Sequence, residues 1–147
     1  MELTTSRTID APVDRVWALQ IDHEQWPHHL PNFSKVVRHA PGTAFGLGSS
    51  ADVTQPALGT VTWTVEQFDD TPQRKSYSWS GASHGTRYIG RHEVAERTGG
   101  RAQLTLTIVA EGGIVKWMGP LVKGRMRKAL EAEAVAFERW ATSVQAA

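Results

Sequence analysis

Hydrophobic and polar positions change period twice along this chain, and each change marks a change of element. Glu2 to Ile9 favours β structure through Leu3, Thr4, Thr5, Thr8 and Ile9, and Asp10-Ala11-Pro12 after it reads as a stop followed by a helix start. Pro12 suits the first helical position, where its missing N–H would have no partner in any case. Val13, Val16, Trp17 and Leu19/Gln20 then recur at helical spacing, and a second short helix is expected from His23 to Leu30, interrupted at Pro27.

From Phe33 the period falls to two. Strands are expected at Phe33 to His39, Ala51 to Gln55 and Thr60 to Glu66, where Val61, Trp63 and Val65 alternate with polar residues. Asp69-Asp70-Thr71-Pro72 reads as a turn, after which Tyr77 and Trp79 alternate with serines until Gly81 to Gly85 breaks the chain. A further strand is expected from about Thr86 to Glu96, joined through Thr98-Gly99-Gly100 to another at Ala102 to Ile108. Connections this short allow antiparallel pairing and exclude the long crossovers of a dinucleotide-binding α/β fold.

The last third returns to helical period. Gly119-Pro120 looks like a helix start, with a short turn at Trp117 and Met118 before it, and Val122, Met126, Ala129/Leu130, Glu133, Phe137 and Trp140 fall on one stripe. A helix of roughly 25 residues is about 37 Å long at 1.5 Å per residue, similar to a strand of about eleven residues. Its stripe needs an apolar partner, and the sheet is the only large one available, so the sheet must curve around it. The expectation is an α+β chain: a curved antiparallel sheet of about seven strands wrapped around a long C-terminal helix, with two short helices after the first strand.

At 147 residues the chain fits one domain, 1–147, with enough length to bury a sizeable core. Sixteen Lys and Arg against 15 Asp and Glu give a net charge of +1, too little to recruit nucleic acid or an anionic membrane through bulk electrostatics. The absence of cysteine excludes disulfides, thiolate metal sites, iron–sulfur clusters and a cysteine nucleophile. The N-terminal segment lacks the basic and apolar regions of a signal peptide, and no run approaches the length of a membrane span, so a cytoplasmic location without integral membrane association is expected. Nothing in the pattern asks for more than a monomer or weak homodimer.

The ordered set Ile9-Asp10-Ala11-Pro12-Val13, Val16-Trp17, Asp22, Trp26-Pro27 and Pro31 resembles the helix-grip superfamily, also called START-related, SRPBCC or polyketide cyclase/dehydrase-like. Trp63-Thr64-Val65 with Asp69 to Pro72, and His92-Glu93-Val94 before Gly99-Gly100, are similar to that family's middle strands, so the likeness covers nearly the whole chain. The resemblance implies a cavity between sheet and long helix for a small hydrophobic or aromatic molecule, held for carriage, sensing or sequestration. His28 and His29 stand where the family often has a second aromatic, which implies a less apolar entrance.

Candidate chemistry follows from the strand period. With Val94 inward, His92, Gly90, Tyr88 and Thr86 share its face, and His92 with Tyr88 is either an acid/base pair or a pair of buried polar side chains satisfied by neighbours. Glu133 is either a carboxyl aimed at the cavity, with a partner or a raised pKa, or a residue at the wet edge of the stripe. Trp63, Trp79, Leu106, Ile108, Val122, Met126 and Phe137 are expected inward, with Trp63, Trp79, Tyr88 and Met126 the preferred wall for an aromatic or polyketide-like guest. His23, His28 and His29 with Asp22 and Glu24 lack metal-site spacing, so no metal and no cofactor is expected. Three roles remain open: a binding module, a polyketide cyclase/aromatase or dehydratase using the same cavity, and an interaction domain working through the basic start of the last helix, Lys116, Lys123, Arg125, Arg127 and Lys128. Gly112, Gly113, Gly119 and Gly124 would permit a mobile lid there.

Overall fold

In the computed structural model, which describes residues 1–112, 115 and 119–143, the period-two segments form one antiparallel sheet of seven strands. They are β1 (Glu2–Ile9), β2 (Lys35–Arg38), β3 (Ser50–Gln55), β4 (Gly59–Asp70), β5 (Lys75–Ser83), β6 (Thr86–Arg97) and β7 (Arg101–Glu111), in the spatial order β1-β7-β6-β5-β4-β3-β2. Helix α1 (Val13–Gln20), a 3-10 turn at His23–Gln25 and α2 (Trp26–His29) follow β1, and α3 (Pro120–Thr142) ends the fold. This is the expected α+β helix-grip architecture. The expected turn at Trp117 and Met118, Lys116 of the basic cluster and Gly113 of the expected lid lie outside the described residues.

Several boundaries move, each for a local reason. Pro12 is the N-cap of α1 in extended conformation, so the helix begins at Val13. Pro27 does not interrupt a helix; it sits in the first turn of α2, where no N–H is needed. β4 continues through the acidic pair to Asp70, and β5 runs past Gly81 to Ser83. Gly81 is therefore inside a strand: a Cβ there would lie 2.6 Å from Val61 Cγ1 and 2.7 Å from the Thr62 carbonyl oxygen, so only glycine lets β4 pass so close. A register shift between Val65 and Gln67 bends β4 further and transfers the inward face from Val65 to Phe68, opposite Tyr77.

The concave face receives Leu3, Ile9, Val53, Val61, Trp63, Val65, Tyr77, Trp79, Val94, Leu104 and Leu106, all buried. Helix α3 lies over the β1 and β7 side of that face and touches α1 and α2. Its polar ties to the rest of the described chain all fall in its middle and C-terminal end: Asn32 Nδ2 donates to the Ala129 carbonyl at 3.4 Å, Arg7 Nε pairs with Glu138 at 2.6 Å, and an Arg15 N–H donates to the Trp140 carbonyl at 3.3 Å. The first turns have no such tie, and Leu121 and Val122 there are 70% and 41% exposed. This overturns the expectation that Val122 faces inward. The stripe has the right phase, but the helix extends beyond the elements that cover it.

Candidate ligand site

The two ends of the space between sheet and α3 are built differently. At the C-terminal end of α3, Trp26 from α2 and His23 before it insert into the concavity and fill it with rings. Trp26 stacks on His92 at 5.5 Å between centroids and meets Phe137 at 5.7 Å, while His92 lies parallel to Tyr77 at 4.7 Å. A chain of hydrogen bonds supports the stack. Tyr77 Oη donates to the Gln20 carbonyl at 2.8 Å, which leaves it to accept from His23 Nε2 at 2.9 Å. The Gln20 amide donates to the Val16 carbonyl, so its Oε1 is free to accept from His92 Nδ1 at 2.8 Å. These partners set both neutral tautomers: His23 carries its proton on Nε2 and His92 on Nδ1.

Burial holds the His92 pKa down at about 3 and that of His23 well below the usual value, with the His92 and Arg38 charges adding to the effect on His23. Neither imidazole takes up a proton near neutrality. His92 Nε2 is consequently a lone pair, and it has no hydrogen-bond partner among the described residues.

Toward the N-terminal end of α3 the filling stops. Met126, Leu130, Glu133 and Phe137 lie along one helical line, yet only Phe137 is fully buried; the other three keep accessible surface. Ile108 on β7 is likewise part-buried, opposite Gly90 on β6. A side chain at Gly90 would press on Trp79, whose indole nitrogen is 3.2 Å from the Cβ position, with Trp63 just beyond. Trp63 and Trp79 are 5.6 Å apart, and Tyr88 stands two positions along β6 on the same face. A recess of about 450 Å³ opens at this end, lined by Met1, Ala110, Glu111, Gly112, Val115 and Lys123. A larger cleft, about 1140 Å³, lies at the opposite end of the sheet among Asp14, Asp70, Arg74, Lys75, Glu93 and Arg101. Its charged walls do not suit an apolar guest.

Glu133 is part-buried without a hydrogen-bond or ion-pair partner among the described residues, and desolvation by the surrounding protein raises its pKa to about 8. The Tyr77 hydroxyl, buried and within the field of Glu133, is pushed well above its ordinary value.

The expected site residues therefore separate. Ile108, Met126 and Glu133 keep accessible surface at the open end, and Trp63 and Tyr88 are buried in the sheet face behind them. Trp79, against His23 at 4.6 Å and Trp26 at 5.8 Å, is enclosed with Leu106 and Phe137 in the filled end, His92 stands between, and Val122 is outside. His92 and Tyr88 do share the inward face, but four residues along one strand separate them by about 13 Å at about 3.3 Å per residue, and His92 bonds Gln20 instead. They do not form an acid/base pair. Sequence reasoning missed Gln20, Tyr77 and the plugging role of His23 and Trp26, although Gln20 falls on the apolar stripe of α1, where a polar residue signals an internal partner. His29, considered with His23 for a metal, stacks on Trp140 at 4.1 Å, and no group of three or more possible ligand side chains occurs among the described residues. Among the described residues no helix is long and apolar enough to cross a membrane.

Solved structures share this architecture. A hypothetical protein, jhp0584, from Helicobacter pylori aligns with a TM-score of 0.85 at 13% identity over 96% of this chain and 88% of its own. A START superfamily protein from Mycobacterium smegmatis aligns at 0.74 and 14% identity, over 98% and 99%. Norcoclaurine synthase from Thalictrum flavum, in complex with dopamine and hydroxybenzaldehyde, aligns at 0.73 and 16% identity, over 100% and 89%. At these identities the likeness is one of fold. A comparison with curated proteins gave no match. The profile of the family described as polyketide cyclase/dehydrase and lipid transport matches residues 1–139, and the chain belongs to that family.

Proposed function

We propose that this protein binds a small, largely apolar molecule in the groove between the sheet and the first half of α3. One observation carries the reading: on a single helical line, Phe137 is fully buried while Met126, Leu130 and Glu133 keep accessible surface. Side chains that face a concave sheet and stay accessible are the walls of a space, and apolar walls with few polar groups describe a ligand site. Ile108, Met126 and Leu130 supply adaptable apolar surface for the guest, with the Trp63 and Tyr88 rings behind them in the sheet face. Family membership supports the same reading, as does the fold's likeness to a synthase whose structure holds two small aromatic molecules. Binding rather than proton transfer is the better account of His92, because a base held at a pKa of about 3 is a weak one at neutral pH.

The test is titration with the neutral apolar dye N-phenyl-1-naphthylamine, with native mass spectrometry to count bound molecules. Saturable binding of one dye per chain is expected, abolished by Ile108→Trp, which fills the groove. Equal binding by the filled variant would overturn the reading.

A further inference from the structure

We propose that the guest of this groove carries a basic nitrogen and that Glu133 is the side chain that receives it. The inference rests on the groove reading above and adds the chemical class of its ligand. Glu133 is the ionisable residue on the inward line of α3, between Leu130 and Phe137, and it has no partner among the described residues. Five residues on, Glu138 has Arg7 at 2.6 Å; on the outer face of the sheet, Glu66 and Glu111 share Arg87 at 2.8 and 3.1 Å. The carboxylates of Glu66, Glu111 and Glu138 are matched by cations, and the one on the inward line of α3 is not.

The surrounding groups deepen that asymmetry. His92, Tyr77 and Tyr88 face the groove from the sheet, Arg7 comes from β1, Arg15 from α1 and His29 from α2. Each arginine is engaged: Arg7 with Glu138, Arg15 with the Trp140 carbonyl. His29 lies flat on Trp140, and the Tyr77 proton is committed to the Gln20 carbonyl. Arg38, across the concavity, donates to the Thr43 carbonyl and covers Phe45. Along this wall the groove thus presents an acceptor at His92 Nε2 and a carboxyl at Glu133 beside the apolar side chains of Met126 and Leu130. At Glu133 such a surface suits a hydrogen-bond donor or a cation over a carboxylate or phosphate head, the Lys123 ammonium standing ten residues away on α3 at the recess.

In the empty groove Glu133 is mostly protonated at pH 7, because burial raises its pKa to about 8. Binding an ammonium then gives a carboxylate–ammonium pair and one proton to solvent: R–NH3⁺ and Glu133–COOH become the ion pair plus H⁺.

The experiment uses decylamine and decanoate, each below its micelle concentration, and decanol below its solubility limit, displacing the neutral dye from the full chain. Calorimetry at pH 7 in phosphate and in Tris reads the protons released. Decylamine is expected to bind about tenfold or more tighter than decanol, in line with a charge-assisted hydrogen bond, with decanoate weakest. Close to one proton should leave per amine bound. E133Q should bind amine and alcohol alike and release no proton through that residue's carboxyl, the fold being checked by circular dichroism. Equal affinity of the wild type for amine and alcohol, or an amine preference that survives in E133Q, would overturn the assignment while leaving the groove intact. Failure of all three to displace the dye, or of the dye to bind, would overturn the groove reading and this one together.

Discussion

Phe137 and Met126 sit on the same line of α3, eleven residues apart, one sealed and the other part-open. The sealed end contains more polar machinery than the open one: Gln20, His23, Tyr77 and His92 are bonded to one another beneath Trp26. Polar side chains inside a fold are therefore no guide to where a ligand goes. Stacked rings tied together by internal hydrogen bonds mark a core, whereas accessible surface on an inward face and an unpaired carboxyl mark a site. The difference originates in the short segment after α1, which plugs one half of the concavity and leaves the other to α3 alone.

Substitutions at the two ends should separate stability from binding. Phe137→Ala empties a fully packed position and should cost about 3–5 kcal/mol in urea unfolding. Met126→Ala forfeits little buried apolar area, because the side chain is only part-buried, and should cost under about 1 kcal/mol while weakening dye binding. Similar losses at both positions would erase the distinction.

The pH dependence sharpens it. Glu133 has a folded pKa of about 8 against 4.5 unfolded, so the folded state holds the extra proton between those values and stability falls as pH rises through them. His92 runs the other way: held at about 3 against 6.5, it costs stability as pH drops below 6.5, and His23 adds to that slope. Stability should peak at about pH 6.5 and decline toward pH 8. E133Q should match the wild type near pH 5 and exceed it at pH 9 by an amount on the order of a few kcal/mol. A constant difference across that range would place the carboxyl in water.

Tyr77→Phe leaves the His23 Nε2–H and the Gln20 carbonyl without their partner and should cost about 1–3 kcal/mol in the same unfolding experiment, with dye affinity unchanged. Loss of binding there would join the two ends into one site. Arg87→Ala should have the smallest effect, a slight salt-dependent loss of stability, because its carboxylate partners are on the exposed face.

Much of this architecture is legible in the residues. Val61, Trp63 and Val65 announce a half-buried strand, Gly99-Gly100 a hairpin, and Val94 the inward face of His92. The stripe from Val122 to Trp140 gives the phase of α3. What periodicity does not carry is extent. It records which side of a helix is apolar, not where the covering elements end, and so Val122 was expected inside. Nor does it show which side chains fill a concavity: the His23–Trp26 plug depends on a path through the 3-10 turn and α2 that no alternation encodes. Glu133 was legible as an oddity on its stripe; its lack of a partner emerged only from the placement of Arg7, Arg15 and Arg38.

The central claim is that the guest enters the open end and spares the sealed one. Methyl-resolved NMR of the protein titrated with N-phenyl-1-naphthylamine tests it directly. The account predicts saturable shifts at Ile108, Met126 and Leu130, with contacts from the dye to those methyls, and little change at Val16, Val53 and Leu104. Shifts centred on Val16 and Leu104, or contacts confined to the outer face of the sheet, would contradict it.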